Sequence, residues 1–151
     1  MSTNYAQGVY KIKNPQKYIG KGDPKFRSSW EFYFMNFLDT HPSVLQWASE
    51  AVRILYRHPL TGKITNYVPD FIIVVVGKDG KNRAELIEIK PRKEAVLECA
   101  KSTRDQAMLL INQAKWAAAA AWAVKNGMTF RVLTEAQLFH QGAKKQKPPR
   151  A

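Results

Sequence analysis

The chain has 151 residues, enough for one domain with a real core. It carries 24 Lys and Arg against 12 Asp and Glu, a formal charge of +12. That balance favours a polyanionic partner, nucleic acid foremost, or else belongs to a soluble protein with a basic tail. The lone cysteine, Cys99, excludes a disulfide framework and a cysteine-rich zinc site, and suits a reducing cytosol. No apolar run approaches the ~20 residues of a membrane span, and the N-terminus has no signal-peptide core.

Residues 1–26 read as a basic arm without periodicity, in which Lys11, Lys13, Lys17, Lys21 and Lys25 alternate with Tyr5, Tyr10 and Tyr18. Two readings stand: lysines on a phosphate backbone with tyrosines stacked on bases, or tyrosines packed on the domain. Ser28-x-x-Glu31 is a capping box that opens a helix whose stripe is Trp30, Phe34, Phe37 and Leu38. His41-Pro42 ends it, and Ser43 is placed to cap a short second helix through Ala48. Ala51 to Arg57 alternates as a strand, Pro59-Leu60-Thr61-Gly62-Lys63 is a turn, and the chain returns through Ile64 and Tyr67.

Phe71 to Val76 is apolar on both parities, a strand buried on both faces. With the turn at residues 77–81 and the run to Ile89, the pattern predicts a three-stranded antiparallel meander beginning at Ala51. Thr103-x-x-Gln106 caps a long helix to Asn126, with Gly127 as its stop and Asn112 and Lys115 as polar members of its stripe. Met128 to Thr134 is a last strand, and Thr134-x-x-Gln137 a weaker cap for a short helix. The expected organisation is α/β, in the order α-β-β-β-α-β. A domain over 27–140 is followed by a basic tail, 141–151, with Lys144, Lys145, Lys147 and Arg150.

Folding the hairpin about Asp79 sets Asp70 opposite Glu88, a turn centred half a residue later makes them diagonal neighbours, and period 2 puts Lys90 on the face of Glu88. Two carboxylates that close repel unless a cation lies between them or one is protonated. Mg²⁺ suits them: it takes oxygen ligands and is held by one or two carboxylates with waters and substrate phosphate. The backbone carbonyl of Ile89 offers a further oxygen, and Lys90 a cation for the phosphoryl group or the attacking water. The competing reading makes Asp70 and Glu88 ordinary strand-end residues with Lys90 as their ion-pair partner. Glu31 likewise reads either as a cap or as a site carboxylate. His41, His58 and His140 lack zinc-ligand spacing.

Pro69-Asp70 with Glu88-Ile89-Lys90 in this order of elements resembles the PD-(D/E)XK nuclease superfamily and its restriction-endonuclease-like core, a central mixed sheet flanked by helices. Asn14-Pro15-Gln16-Lys17-Tyr18, Arg27-Ser28-Ser29-Trp30-Glu31, Val44-Leu45-Gln46-Trp47, Tyr67-x-Pro69-Asp70-Phe71 and Asn112-x-x-Lys115-Trp116 are similar to the head completion nucleases of T-even-type tailed phages. A transposon end-cleaving subunit shares the core motifs. The resemblance implies a metal-dependent DNA endonuclease with Mg²⁺, or Mn²⁺ in its place. Asp70 and Glu88 would hold metal, Lys90 would assist the water, and Glu31 would join the site. Arg27, Asn112 and Lys115 would contact substrate phosphates or orient the site. It further implies work late in head assembly in the host cytoplasm, with phage head or portal proteins as partners. The rivals are a DNA-binding assembly protein without nuclease activity and a structure-selective junction resolvase.

Overall fold

The computed structural model describes residues 7–96 and 100–138, so Tyr5, Cys99 and the basic tail fall outside the described residues. Strands β1 (Gly8–Val9) and β2 (Lys25–Phe26) pair antiparallel within the arm. The arm is tied to helix α1 (Ser29–Thr40) by Asp39, which has no exposed surface. Its carboxylate accepts from the Tyr10 hydroxyl (2.7 Å) and from the N–H groups of Lys13 (2.8 Å) and Asn14 (3.0 Å). Burial pushes the Asp39 pKa up, but these bonds outweigh it and hold the group below its ordinary value. Tyr10 is buried, and both Tyr10 and Tyr18 meet the Trp47 ring edge-on, at 6.1 and 4.7 Å. Of the two readings of the arm, the packed one describes these tyrosines.

Ser28 caps α1 as expected, its Oγ accepting from the Glu31 N–H at 3.1 Å. The segment after Pro42 departs from expectation. It is not a second helix but strand β3 (Val44–Ser49). A bulge between Val44 and Gln46 breaks its alternation, so Val44, Trp47 and Ala48 are buried at the i, i+3, i+4 spacing of a helix.

The meander is corrected in the same way. Strands β4 (Ile54–Arg57) and β5 (Ile64–Tyr67) form a separate two-stranded sheet. The central sheet has the order β3-β6-β7-β8, with β6 (Phe71–Val76), β7 (Asn82–Ile89) and β8 (Thr129–Leu133). β6 pairs antiparallel with both β3 and β7, and β8 runs parallel to β7. With β3 as the first strand, the order α-β-β-β-α-β holds, and the fold is a mixed α/β sheet flanked by helices.

The short helix α2 (Arg92–Ala95) precedes the long α3 (Thr103–Lys125). The N-cap of α3 is Ser102 rather than Thr103: the Ser102 Oγ accepts from the Asp105 N–H at 3.0 Å. Gly127, with φ +71, stops the chain after the helix as the sequence implied. Thr134 and Gln137 bond each other at the start of α4 (Glu135–Leu138).

Side-chain alternation splits the core. Phe71, Ile73, Ile87 and Ile89 face the α1 side with Phe34, Met35, Leu38 and Trp47. Leu86 faces α3 with Tyr56, Tyr67, Ala119 and Ala123. By the same parity Asp70, Glu88 and Lys90 belong to the α3 face, at the end of β7 where the hairpin opens.

Candidate active site

The register Phe71↔Ile87 and Ile72↔Leu86 extends to set Asp70 against Glu88, as the folded indices implied. The two are interlocked. The Asp70 N–H donates to Glu88 Oε1 at 3.2 Å, and the Ile89 N–H donates to Asp70 Oδ2 at 2.8 Å. Each carboxylate is thus fixed by the backbone of the opposite strand. Fully buried Pro69 holds the approach to Asp70.

The electrostatics are frustrated. Desolvation lifts the Asp70 carboxyl well above its ordinary range, and the charges of Glu88 and then Glu31 lift it further. Glu88, 5% exposed, is raised by desolvation, against which Lys90 acts. Glu31 is raised by burial and by Glu50, and lowered by Arg27 and Lys90. Its Oε1 accepts from the Arg27 N–H at 3.1 Å, so one residue serves the helix start and faces the cluster. Lys90 Nζ lies 3.9 Å from Glu88 and 3.8 Å from Glu94.

Around this centre the structure places residues that the sequence reading left out. Tyr67 is 4% exposed; among the described residues its hydroxyl has no well-formed hydrogen bond, yet it lies beside Glu88, whose charge raises its pKa after burial does. The buried Trp116 Nε1 likewise has no well-formed hydrogen bond among the described residues and adjoins the same hydroxyl. Glu50 is the one described non-glycine residue with positive φ, +51. Its N–H donates to the Asp70 carbonyl at 2.9 Å, and its carboxylate pairs with the Arg27 guanidinium. An L-residue in that region costs roughly 1–2 kcal/mol, so the bend after β3 is held by its surroundings. Only the tertiary arrangement reveals Tyr67 and Glu50. The tyrosine in Tyr67-x-Pro69-Asp70 was the available signal.

Of the three expected substrate contacts, Lys115 lies at the site. Its Nζ sits 5.7 Å from the Tyr67 ring centre and 5.9 Å from that of Tyr56. Its pKa is lowered by burial and then by the neighbouring Lys90. Arg27 is exposed and engaged with Glu50. Asn112 has no exposed surface; its Nδ2 donates to the Glu94 carbonyl at 3.2 Å and so ties α3 to α2, the arrangement expected of a residue that orients the site.

Among the described residues no three His, Cys, Asp or Glu groups converge closely enough to cage an ion unaided. The donor set that does converge is two buried carboxylates, both raised by desolvation, with the Glu88 charge lifting the proton affinity of Asp70 further. That set fits a hard cation completing its shell with water and substrate, as Mg²⁺ does, and disfavours zinc.

A family described as TnsA-like endonuclease N terminal matches residues 41–135, a span from β3 to the start of α4 that contains Asp70, Glu88 and Lys90. The head completion nuclease of Enterobacteria phage T4 is 37% identical over 150 residues, covering 91% of this chain and 96% of that protein. With the mixed sheet, the interlocked carboxylate pair and the neighbouring lysine in place, the chain belongs to the TnsA-like endonuclease family, in which the fold is restriction-endonuclease-like, and is a relative of the phage head completion nuclease.

Proposed function

We propose that this protein is a Mg²⁺-dependent endodeoxyribonuclease that acts in completing a phage head after DNA packaging, beside head or portal proteins. The observation that carries the catalytic part is the Asp70–Glu88 pair: two desolvated carboxyls, locked by 3.2 and 2.8 Å backbone bonds, with a lysine beside them. The assembly role rests on the name of the phage relative, and the charge of +12 supports DNA as substrate.

Asp70 and Glu88, with the Ile89 carbonyl, would hold the cation, which when bound supplies a Lewis acid for the phosphoryl oxygen and lowers the pKa of water. Mn²⁺ would replace Mg²⁺. Lys90, shared between Glu88 and Glu94, sets its ammonium where negative charge would grow on the phosphoryl oxygens, or orients the attacking water. Glu31 faces Asp70 from α1 and serves as a further carboxylate of the site. Lys115, half-buried over two tyrosine rings, offers its ammonium to a substrate phosphate. Arg27 reaches the phosphate backbone by exchanging the Glu50 carboxylate for a phosphate.

The test is plasmid nicking with and without Mg²⁺. Wild type should relax supercoiled DNA only with the metal, and Asp70→Ala should lose at least about 10²-fold in rate. Wild type and variant equally inert, while both bind DNA, would leave a DNA-holding assembly protein on an inactive nuclease scaffold.

A further inference from the structure

The β4–β5 hairpin stands outside the central sheet, and its tip is built for something other than packing. Tyr67 at its base is 4% exposed and Ile54 3%, whereas Leu60 at the tip is 59% exposed and is preceded by exposed Pro59. The tip is nevertheless well ordered by bonds. The His58 N–H donates to the Lys63 carbonyl (2.8 Å), the Gly62 N–H to the His58 carbonyl (2.8 Å), and the Arg57 guanidinium to the Gly62 carbonyl (2.7 Å). Gly62 holds the φ of +73 that this turn needs. Pro59 suits the turn by its fixed φ, whereas Leu60, like Leu55 (65% exposed) and Ile64 (54%) on the same hairpin, turns apolar surface to solvent.

Its position follows from its neighbours. Ile54 lines a groove with Trp122 and Lys125 near the end of α3, whereas Tyr56, two residues on, lies against Lys115. Strand β4 therefore runs antiparallel to α3, and the hairpin meets the site at its base, where Tyr67 pairs with Ile54, and carries its tip away from it. Tyr67 faces Glu88. From Tyr67 to the start of β5 at Ile64 is roughly 10 Å at ~3.3 Å per residue, and the turn extends farther. Along a duplex that is about three to four base steps of ~3.4 Å. From Ala51 to Val68 the chain contains Arg53, Arg57, His58 and Lys63 and no acidic residue, so its charge matches a phosphate backbone.

We propose that the β4–β5 hairpin is a DNA wedge. Lys63 and Arg57 rest on phosphates while Pro59 and Leu60 enter between base pairs about three to four steps from the scissile phosphate, unstacking and bending the duplex. Apolar wedges flanked by cations are how proteins kink DNA at a fixed offset from their main contacts. The wedge rests on the nuclease reading for the place of the cut, but unstacking is measurable without cleavage.

The test uses the full chain in Ca²⁺ and short duplexes with 2-aminopurine at successive central steps, with occupancy matched by anisotropy. Wild type should raise 2-aminopurine emission severalfold, and Leu60→Ser should lose most of that rise at equal occupancy. Leu110→Ser, an exposed leucine on α3, should keep it. Lys63→Ala should lower the salt dependence of binding by about one counterion. An emission rise with no cleavage of plasmid in Mg²⁺ would keep the wedge and remove the nuclease reading. Cleavage with no emission rise, or a rise identical in Leu60→Ser, would overturn the wedge; the latter would leave the apolar tip to a protein partner.

Discussion

Replacing Asp70 with asparagine should make the metal-free protein more stable while abolishing cleavage. The Asp70 carboxyl is desolvated and faces Glu88 and Glu31, and all three carboxyls lie above their ordinary range. Asparagine keeps the shape and an oxygen for the Ile89 N–H, now at 2.8 Å, and removes one charge from the cluster. Relief of a desolvated charge among like charges is worth about 1–3 kcal/mol. For a chain of this size that raises Tm by roughly 3–10 °C. The sign with pH is fixed. Unfolded Asp and Glu titrate near ~3.9 and ~4.3, and the folded site titrates higher. The folded site therefore binds more protons than the unfolded chain from about pH 4 up to the raised values, so the site's contribution to stability falls as pH rises through that window. The advantage of Asp70→Asn over wild type should be near zero at about pH 4 and grow toward neutrality. Calorimetry in EDTA at several pH values reads this directly, and Mg²⁺ should then raise the Tm of wild type far more than that of the variant. A variant no more stable than wild type at neutral pH would refute the picture of a site strained by its own charge.

Other perturbations have equally definite outcomes. Asp39→Ala removes three bonds to a buried carboxylate and should cost about 3–4 kcal/mol in denaturant unfolding. Because the Asp39 pKa is depressed in the fold, that difference should be complete above the unfolded value of about 3.9 and shrink as pH falls through the folded one. Trp47→Ala should cost about 3–5 kcal/mol, since Trp47 is fully buried where arm, α1 and sheet meet. Tyr67→Phe should leave stability within about 1 kcal/mol, because among the described residues the hydroxyl lies beside Glu88 without a well-formed hydrogen bond, yet raise the Mg²⁺ needed for half-maximal cleavage roughly 10- to 100-fold, since Glu88 when holding the ion would lose the hydroxyl placed to orient it.

The carboxylate pair was legible because hairpin register is local: a short turn and period 2 bring Asp70 to Glu88 without knowledge of the rest of the fold. The helix starts at Ser28 and near Ser102 were legible for a similar reason, since a capping signal lies within one turn, although the neighbouring Ser102 took the role assigned to Thr103. β3 was misread because its bulge turns strand alternation into helical spacing. The β4–β5 hairpin was misplaced because nothing in its alternation says which sheet it joins; its inner face packs on α3 instead. The roles of Glu50 and Tyr67 need tertiary contacts to be seen, although Tyr67 stands in the Tyr67-x-Pro69-Asp70 motif, and the sequence leaves Asn112 open between contacting phosphate and orienting the site because its burial depends on where Glu94 falls.

The most direct measurement is titration of Mn²⁺ into the protein with a short DNA duplex bound, read calorimetrically or by electron spin resonance. Wild type should bind the divalent ion, with proton uptake by buffer as the raised carboxyls ionise, and binding should be lost in Asp70→Asn and Glu88→Gln proteins that remain folded and DNA-bound. Undiminished binding in both variants would contradict the assignment of the cation to the Asp70–Glu88 pair.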